Sequence, residues 1–149
     1  MAASPERKLV CENRRARHDY FILERMEAGL ALTGTEVKSL REGRAELRDA
    51  YVTVEDGEAF LVDAHIAPWP HAAYFNHQPR RRRKLLLKAR EIARLKTHIE
   101  KKGFTAVALA IYFNERNLAK VEIALARGRK HEDKRELIRQ RDEERQARD

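Results

Sequence analysis

The sequence predicts a mainly β fold: a small antiparallel β-barrel with two or three peripheral helices and a flexible C-terminal tail. Three observations predict it. Two segments, Tyr51 to Ile66 and Val107 to Leu125, alternate apolar and polar residues around short turn sequences, as hairpins do. Helical periodicity is confined to two stretches, one before Gly43 and one before Gly103. After Ala126 the apolar residues almost vanish: residues 127–149 hold nine cations and seven acids, with only Leu137, Ile138 and Ala147 to bury. The 149-residue chain is therefore expected to divide into one folded domain, 1–126, and a tail, 127–149, disordered alone.

Taken in order, residues 1–17 read as extended or flexible and carry a basic cluster at Arg14, Arg15 and Arg17. His18 to Glu24, with Tyr20 to Leu23 at its centre, reads as a first strand. Glu27-Ala28-Gly29 reads as a turn or bulge that interrupts it. A short helix follows, capped by Thr35, with Val37 and Leu40 on one face and Gly43 as its left-handed stop. Lys38 and Arg41, three residues apart, share another side of that helix.

Asp56-Gly57 is a strong two-residue turn signal between the strands of the first hairpin. Pro68, Trp69 and Pro70 break the second of those strands, and residues 71–79 form a connector. Lys88 to Lys102 is helical, with Ile92, Leu95 and Ile99 on the buried stripe and cations over the rest. The closing hairpin turns at Asn114 to Asn117, and its alternation predicts strands buried on one face. Short strands in hairpins with few helices suit an OB-like barrel, a shape that binds oligonucleotides through one face and its loops.

Charge sharpens the functional reading. The chain carries a net charge of +8 and a pI near 9.9. Between Arg80 and Lys102 eleven cations face only Glu91 and Glu100, a local +9, so the remainder is close to neutral. A localised cationic patch is the footprint of a phosphate-binding surface. Membrane binding is disfavoured, because no apolar run approaches the roughly 20 residues that span a bilayer and no apolar stretch follows the N-terminal Lys8 as a secretory signal requires.

Catalysis finds little support. The histidines at 18, 65, 71, 77, 98 and 131 are scattered, and their spacing matches no standard zinc pattern. Glycine-rich phosphate loops, nucleophile elbows and paired-carboxylate signatures do not occur. Cys11 is a single thiol outside any nucleophile motif, so no disulfide is expected. No catalytic residue, metal or cofactor is assigned. Trp69, Tyr74 and Phe75 could stack on bases, but their prolines favour a role as apolar plugs at the barrel mouth.

Several blocks together resemble a known family. They are Asn13-Arg14-Arg15-Ala16-Arg17-His18-Asp19-Tyr20, Glu27-Ala28-Gly29-Leu30, Gly34-Thr35-Glu36-Val37-Lys38-Ser39-Leu40-Arg41, Arg83-Lys84-Leu85-Leu86-Leu87, and Gly128-Arg129-Lys130 followed by Asp133-Lys134-Arg135. In this order they resemble SmpB, the SsrA-binding proteins. The resemblance implies an OB-like barrel that binds the tRNA-like domain of transfer-messenger RNA without catalysing a reaction. It further implies delivery of that RNA to stalled ribosomes for trans-translation in the cytoplasm, without a membrane. The tail would order in the decoding centre of the small subunit of the 70S ribosome. Alanyl-tRNA synthetase and elongation factor Tu would be reached indirectly, through the RNA.

Residue by residue, the resemblance puts Asn13, Arg14, Arg15, Glu27, Lys38, Arg41, Arg83, Lys84, Leu86 and Lys88 on the RNA-binding surface. It puts Gly128, Lys130, His131, Asp133, Lys134 and Arg135 in the ribosome-entering tail. Lys88 departs from the His or Asn usual in the family, Glu132 from the His or aromatic, and the tail lacks the usual tryptophan. Because a carboxylate repels phosphate, Glu27 is expected to accept hydrogen bonds from base edges or to orient neighbouring arginines.

Overall fold

A computed structural model describes residues 7–129. Among them β1 (Lys8–Glu12) leads through a single turn of helix, α1 (Ala16–Asp19), into the long β2 (Tyr20–Leu30). Then come α2 (Gly34–Arg41), β3 (Ala45–Glu46), β4 (Tyr51–Glu55), β5 (Glu58–Val62), β6 (His65–Ile66) and β7 (Arg83–Leu86). The described chain ends with α3 (Ala89–Ile99), β8 (Phe104–Phe113) and β9 (Ala119–Gly128).

All strand pairs are antiparallel, and the main sheet runs β1-β8-β4-β5-β7-β2-β9. Since β9 also pairs with β8, six of these strands form a closed circuit with β1 appended to it. Strands β3 and β6 form a separate small pair.

The turns follow their local chemistry. Asp56 and Gly57 both take positive φ, 50° and 75°, the geometry that lets a two-residue turn match the twist of the flanking strands. On α2 the cap is Thr33, two residues before the expected Thr35, and its backbone N–H donates to Glu36 Oε1 at 2.8 Å.

Strand β2 corrects the sequence reading. Glu27-Ala28-Gly29 does not turn; it continues the strand, pairing with β9 and then β7. Gly29 faces Leu86, where a Cβ would lie 3.1 Å from the Leu86 side chain, so glycine serves close strand approach here rather than a turn. The irregularity falls earlier, between Ile22 and Glu24. Lys8–Glu12, in the region read as extended or flexible, is extended: it forms a strand hydrogen-bonded to β8.

The core lies inside the circuit and includes Leu40, Leu61, Ile66, Leu85, Leu95, Ile111 and Ile123. Leu95 anchors α3 to it, with Ile92 and Ile99 beside it, as the stripe predicted. Alternate residues of β8 and β9 point the other way into a second cluster, where Val107, Leu109, Ala124 and Ala126 meet Ala16. Residues 106–113 are therefore buried on both faces, and the one-sided burial expected for this hairpin is incorrect. The covering segment around α1 carries too little apolar pattern to be recognised beforehand. Strand β9 carries the sheet through Arg127 and Gly128, past the expected boundary at Ala126. No helix among the described residues is long and apolar enough to cross a membrane.

Candidate nucleic-acid interface

Strand β7 alternates strictly. Arg83 and Leu85 point inward, while Lys84 and Leu86 point out. Those two outward side chains line a groove of about 590 Å³, together with Glu27 from β2, Lys88 and Glu91 at the start of α3, and Lys120 from β9. Leu86 is 55% exposed and presents an apolar group to the groove. The N-terminus of α3 opens on this groove, and Glu91 accepts the Lys88 backbone N–H at 2.9 Å.

The groove is not simply positive. Its three lysines, Lys84, Lys88 and Lys120, stand among Glu27, Glu58 and Glu91. Lys84 Nζ contacts Glu58 at 3.0 Å, both half exposed, a weak and exchangeable pair. Such a mixture suits hydrogen bonding to base edges and sugars beside phosphate contact.

Glu27 is held from behind. The buried Tyr112 hydroxyl donates to its carboxylate. Arg7 lies over the Tyr112 ring, 3.5 Å from its centroid, and donates to Glu122 at 3.2 Å. Glu122 is paired directly across from Glu27 on β9 and takes a second bond from Arg25 at 3.1 Å. Two like charges thus face each other across a strand pair, with Arg7 and Arg25 offsetting their repulsion. Sequence reasoning did not find Tyr112, because only the β8–β9–β2 register brings it near Glu27.

The basic run distributes differently from its appearance in the sequence. Arg83 is wholly buried and bonds Glu36 at 2.5 Å, so it is an interior residue and not part of an RNA-facing surface. Arg81 bonds the same carboxylate, Arg82 pairs with Glu55, and Arg80 donates to the Asp63 carbonyl. Burial pushes the Glu36 carboxyl upward, but Arg81, the Thr33 N–H and Arg83 outweigh it and hold it below the ordinary range. Much of the local positive charge is therefore neutralised by acids distant in sequence, which a count along the chain cannot see.

Exposed charge lies instead on the outer side of α3. Arg90 and Lys96 there, and Lys102 in the turn that follows, are exposed without a carboxylate partner among the described residues, and Arg94 pairs with Glu24. Lys38 and Arg41 share α2, where the Arg41 guanidinium sits 5.2 Å from the Phe113 ring centroid.

Asn13 is also interior. Its amide donates to the Leu47 and Ala108 carbonyls, both at 3.0 Å, fastening the β1 exit to β8. Arg14 is 92% exposed beside Glu12, whereas Arg15 bridges to Asp19 at 3.5 Å. Two of the three aromatics expected to plug the barrel mouth do not do so: Tyr74 is fully exposed and Phe75 68% exposed, while Trp69 is partly buried.

At the end of the sheet, Gly128 N–H donates to Gly103 O and Arg129 N–H to Asp19 O, both at 3.0 Å. Arg127 and Arg129 both lie over Phe21, at 4.7 and 3.8 Å. Lys130, His131, Glu132, Asp133, Lys134 and Arg135 lie outside the described residues.

Comparison with known proteins decides the family. The family model described as "SmpB protein" matches residues 10–149. The chain belongs to the SmpB family. An SsrA-binding protein of Moorella thermoacetica is 57% identical over 139 residues, 93% of this chain and 90% of that protein. An SsrA-binding protein of Mesorhizobium japonicum is 51% identical, covering 94% of this chain and 88% of that one. A chain in the solved structure described as "tmRNA-SmpB: a journey to the center of the bacterial ribosome" superposes with a TM-score of 0.71 at 53% identity, covering 87% of this chain and 94% of that one. Within the SmpB family frame, Glu27, Lys84, Leu86 and Lys88 are the members of the expected RNA-binding set that the fold gathers into one groove.

Proposed function

We propose that this chain binds the tRNA-like domain of transfer-messenger RNA and carries it to stalled ribosomes for trans-translation. Family membership across residues 10–149 carries the reading. The SsrA-binding relatives and the tmRNA-SmpB complex support the same partners. The RNA seats in the Glu27–Leu86 groove, and the α3 cations add phosphate contacts.

The closed strand circuit supports reading the fold as an OB-like barrel that offers one face to nucleic acid. The protein acts by binding and positioning, without catalysis. Alanyl-tRNA synthetase and elongation factor Tu meet it only through the shared RNA. The tail residues Lys130, His131, Asp133, Lys134 and Arg135 follow the Phe21-braced end of β9 and serve the decoding centre.

Recovery of bound RNA from lysate, followed by sequencing, tests this directly. Transfer-messenger RNA should dominate the bound fraction. Enrichment of unrelated RNAs alone would contradict the assignment.

A further inference from the structure

The segment between β6 and β7 holds two exposed aromatic rings that the groove does not use. The loop carrying them is fastened at its base. Asn76 Oδ1 accepts the Trp69 N–H at 3.1 Å, and Asn76 Nδ2 donates to Trp69 O at 2.8 Å, so one amide closes residues 69–76. Next to it the buried His77 ring is bonded on both sides, to Thr35 Oγ1 at 2.8 Å and Ile66 O at 2.9 Å. Tyr74 and Phe75 stand in solvent on a loop whose ends are fixed to α2 and β6. Large exposed aromatics on a pinned loop lose little conformational freedom on binding, which favours a contact surface.

The surroundings favour RNA over protein. Of the seven cations that follow the aromatics up to residue 90, Arg81, Arg82, Arg83 and Lys84 pair with Glu36, Glu55 and Glu58, which leaves Arg80, Lys88 and Arg90 exposed without a carboxylate partner among the described residues. Aromatic rings beside cations are the recurrent device for holding unpaired bases.

Resting on the function proposed above, the geometry points to Tyr74 and Phe75 as a stacking platform for unpaired bases of the same RNA that occupies the groove. Residues 77–82 connect the loop to the N-terminal end of β7, and Leu86 stands at the other end of that strand.

The test uses the full chain and tRNA-like-domain RNA. Trp69 is the single tryptophan and sits at the loop base, so its emission reports on the loop. RNA addition should change that emission. Joint replacement Tyr74→Ala and Phe75→Ala should weaken RNA binding by about tenfold or more without altering its salt dependence. The conservative pair Tyr74→Phe and Phe75→Tyr should restore wild-type affinity. Unchanged affinity in the alanine variant, alongside weakened binding in Lys84→Ala, would overturn the platform and leave the groove standing. Absence of RNA binding by the wild-type chain would overturn both. Loss of ribosome association at unchanged RNA affinity would assign the loop to the ribosome and also overturn the proposal.

Discussion

Glu36 and Arg83 meet at 2.5 Å with both side chains completely excluded from solvent. Arg83 reaches the pair from β7 and Glu36 from the first turn of α2, so the contact joins helix to sheet. Arg83 also donates to the carbonyls of Ala64 and Pro79, which satisfies most of its fork inside the protein. Replacing Glu36 by glutamine keeps the shape and leaves the arginine charge buried without compensation. Glu36→Gln should lower unfolding free energy by about 3–5 kcal/mol, measured by urea denaturation. A change within 0.5 kcal/mol of zero, about the noise for surface sites, would refute this role.

Acid should weaken the fold through the same group. The Glu36 carboxyl ionises below the ordinary 4.5 when folded, so the unfolded chain takes up its proton first. Its contribution is complete at neutral pH and is lost as pH falls through and below that value. Stability curves of wild type and Glu36→Gln should converge on acidification; parallel curves would contradict the linkage.

Groove and interior cations should behave differently on RNA. Lys84→Ala and Lys88→Ala should each reduce the slope of log affinity against log salt by about one phosphate contact. Arg83→Lys should instead lower the melting temperature, because a lysine cannot reproduce the buried fork. Filter binding across a salt series, paired with thermal melts, separates the two effects.

Tyr112 should matter for RNA only through Glu27. Its hydroxyl donates to that carboxylate from a buried position. Tyr112→Phe should weaken binding of tRNA-like RNA, and the loss should be non-additive with Glu27→Gln in a double-mutant cycle. Additive losses would show that the two residues act independently.

Cys11 should be sluggish. Burial pushes its thiol up to about 11, partly countered by the hydrogen bond with Ile111. Iodoacetamide at pH 8 should label the native chain far more slowly than the urea-unfolded chain. Equal rates would contradict the burial of β1 against β8.

Local chemistry made much of this fold legible. The Asp56-Gly57 turn, the Leu95 stripe of α3 and the β8–β9 hairpin follow from residues near one another. The errors arose where distant elements meet. Gly29 looked like a turn signal because Leu86, which requires its missing Cβ, lies far along the chain. Arg83 looked like a surface cation because Glu36 reaches it across 47 positions of sequence. Tyr74 and Phe75 looked like plugs, and only the loop geometry shows them exposed. Within the site, the motifs supplied the residue names, while the β7 alternation decided which of them face outward.

The central claim is that the groove around Leu86 recognises a folded RNA and not merely its charge. The most direct measurement compares affinity for the tRNA-like domain with affinity for an unrelated hairpin of equal length, at physiological ionic strength. The tRNA-like domain should bind at least about tenfold more tightly, and Leu86→Ala should erase most of that margin. Equal affinity for both RNAs would contradict the account.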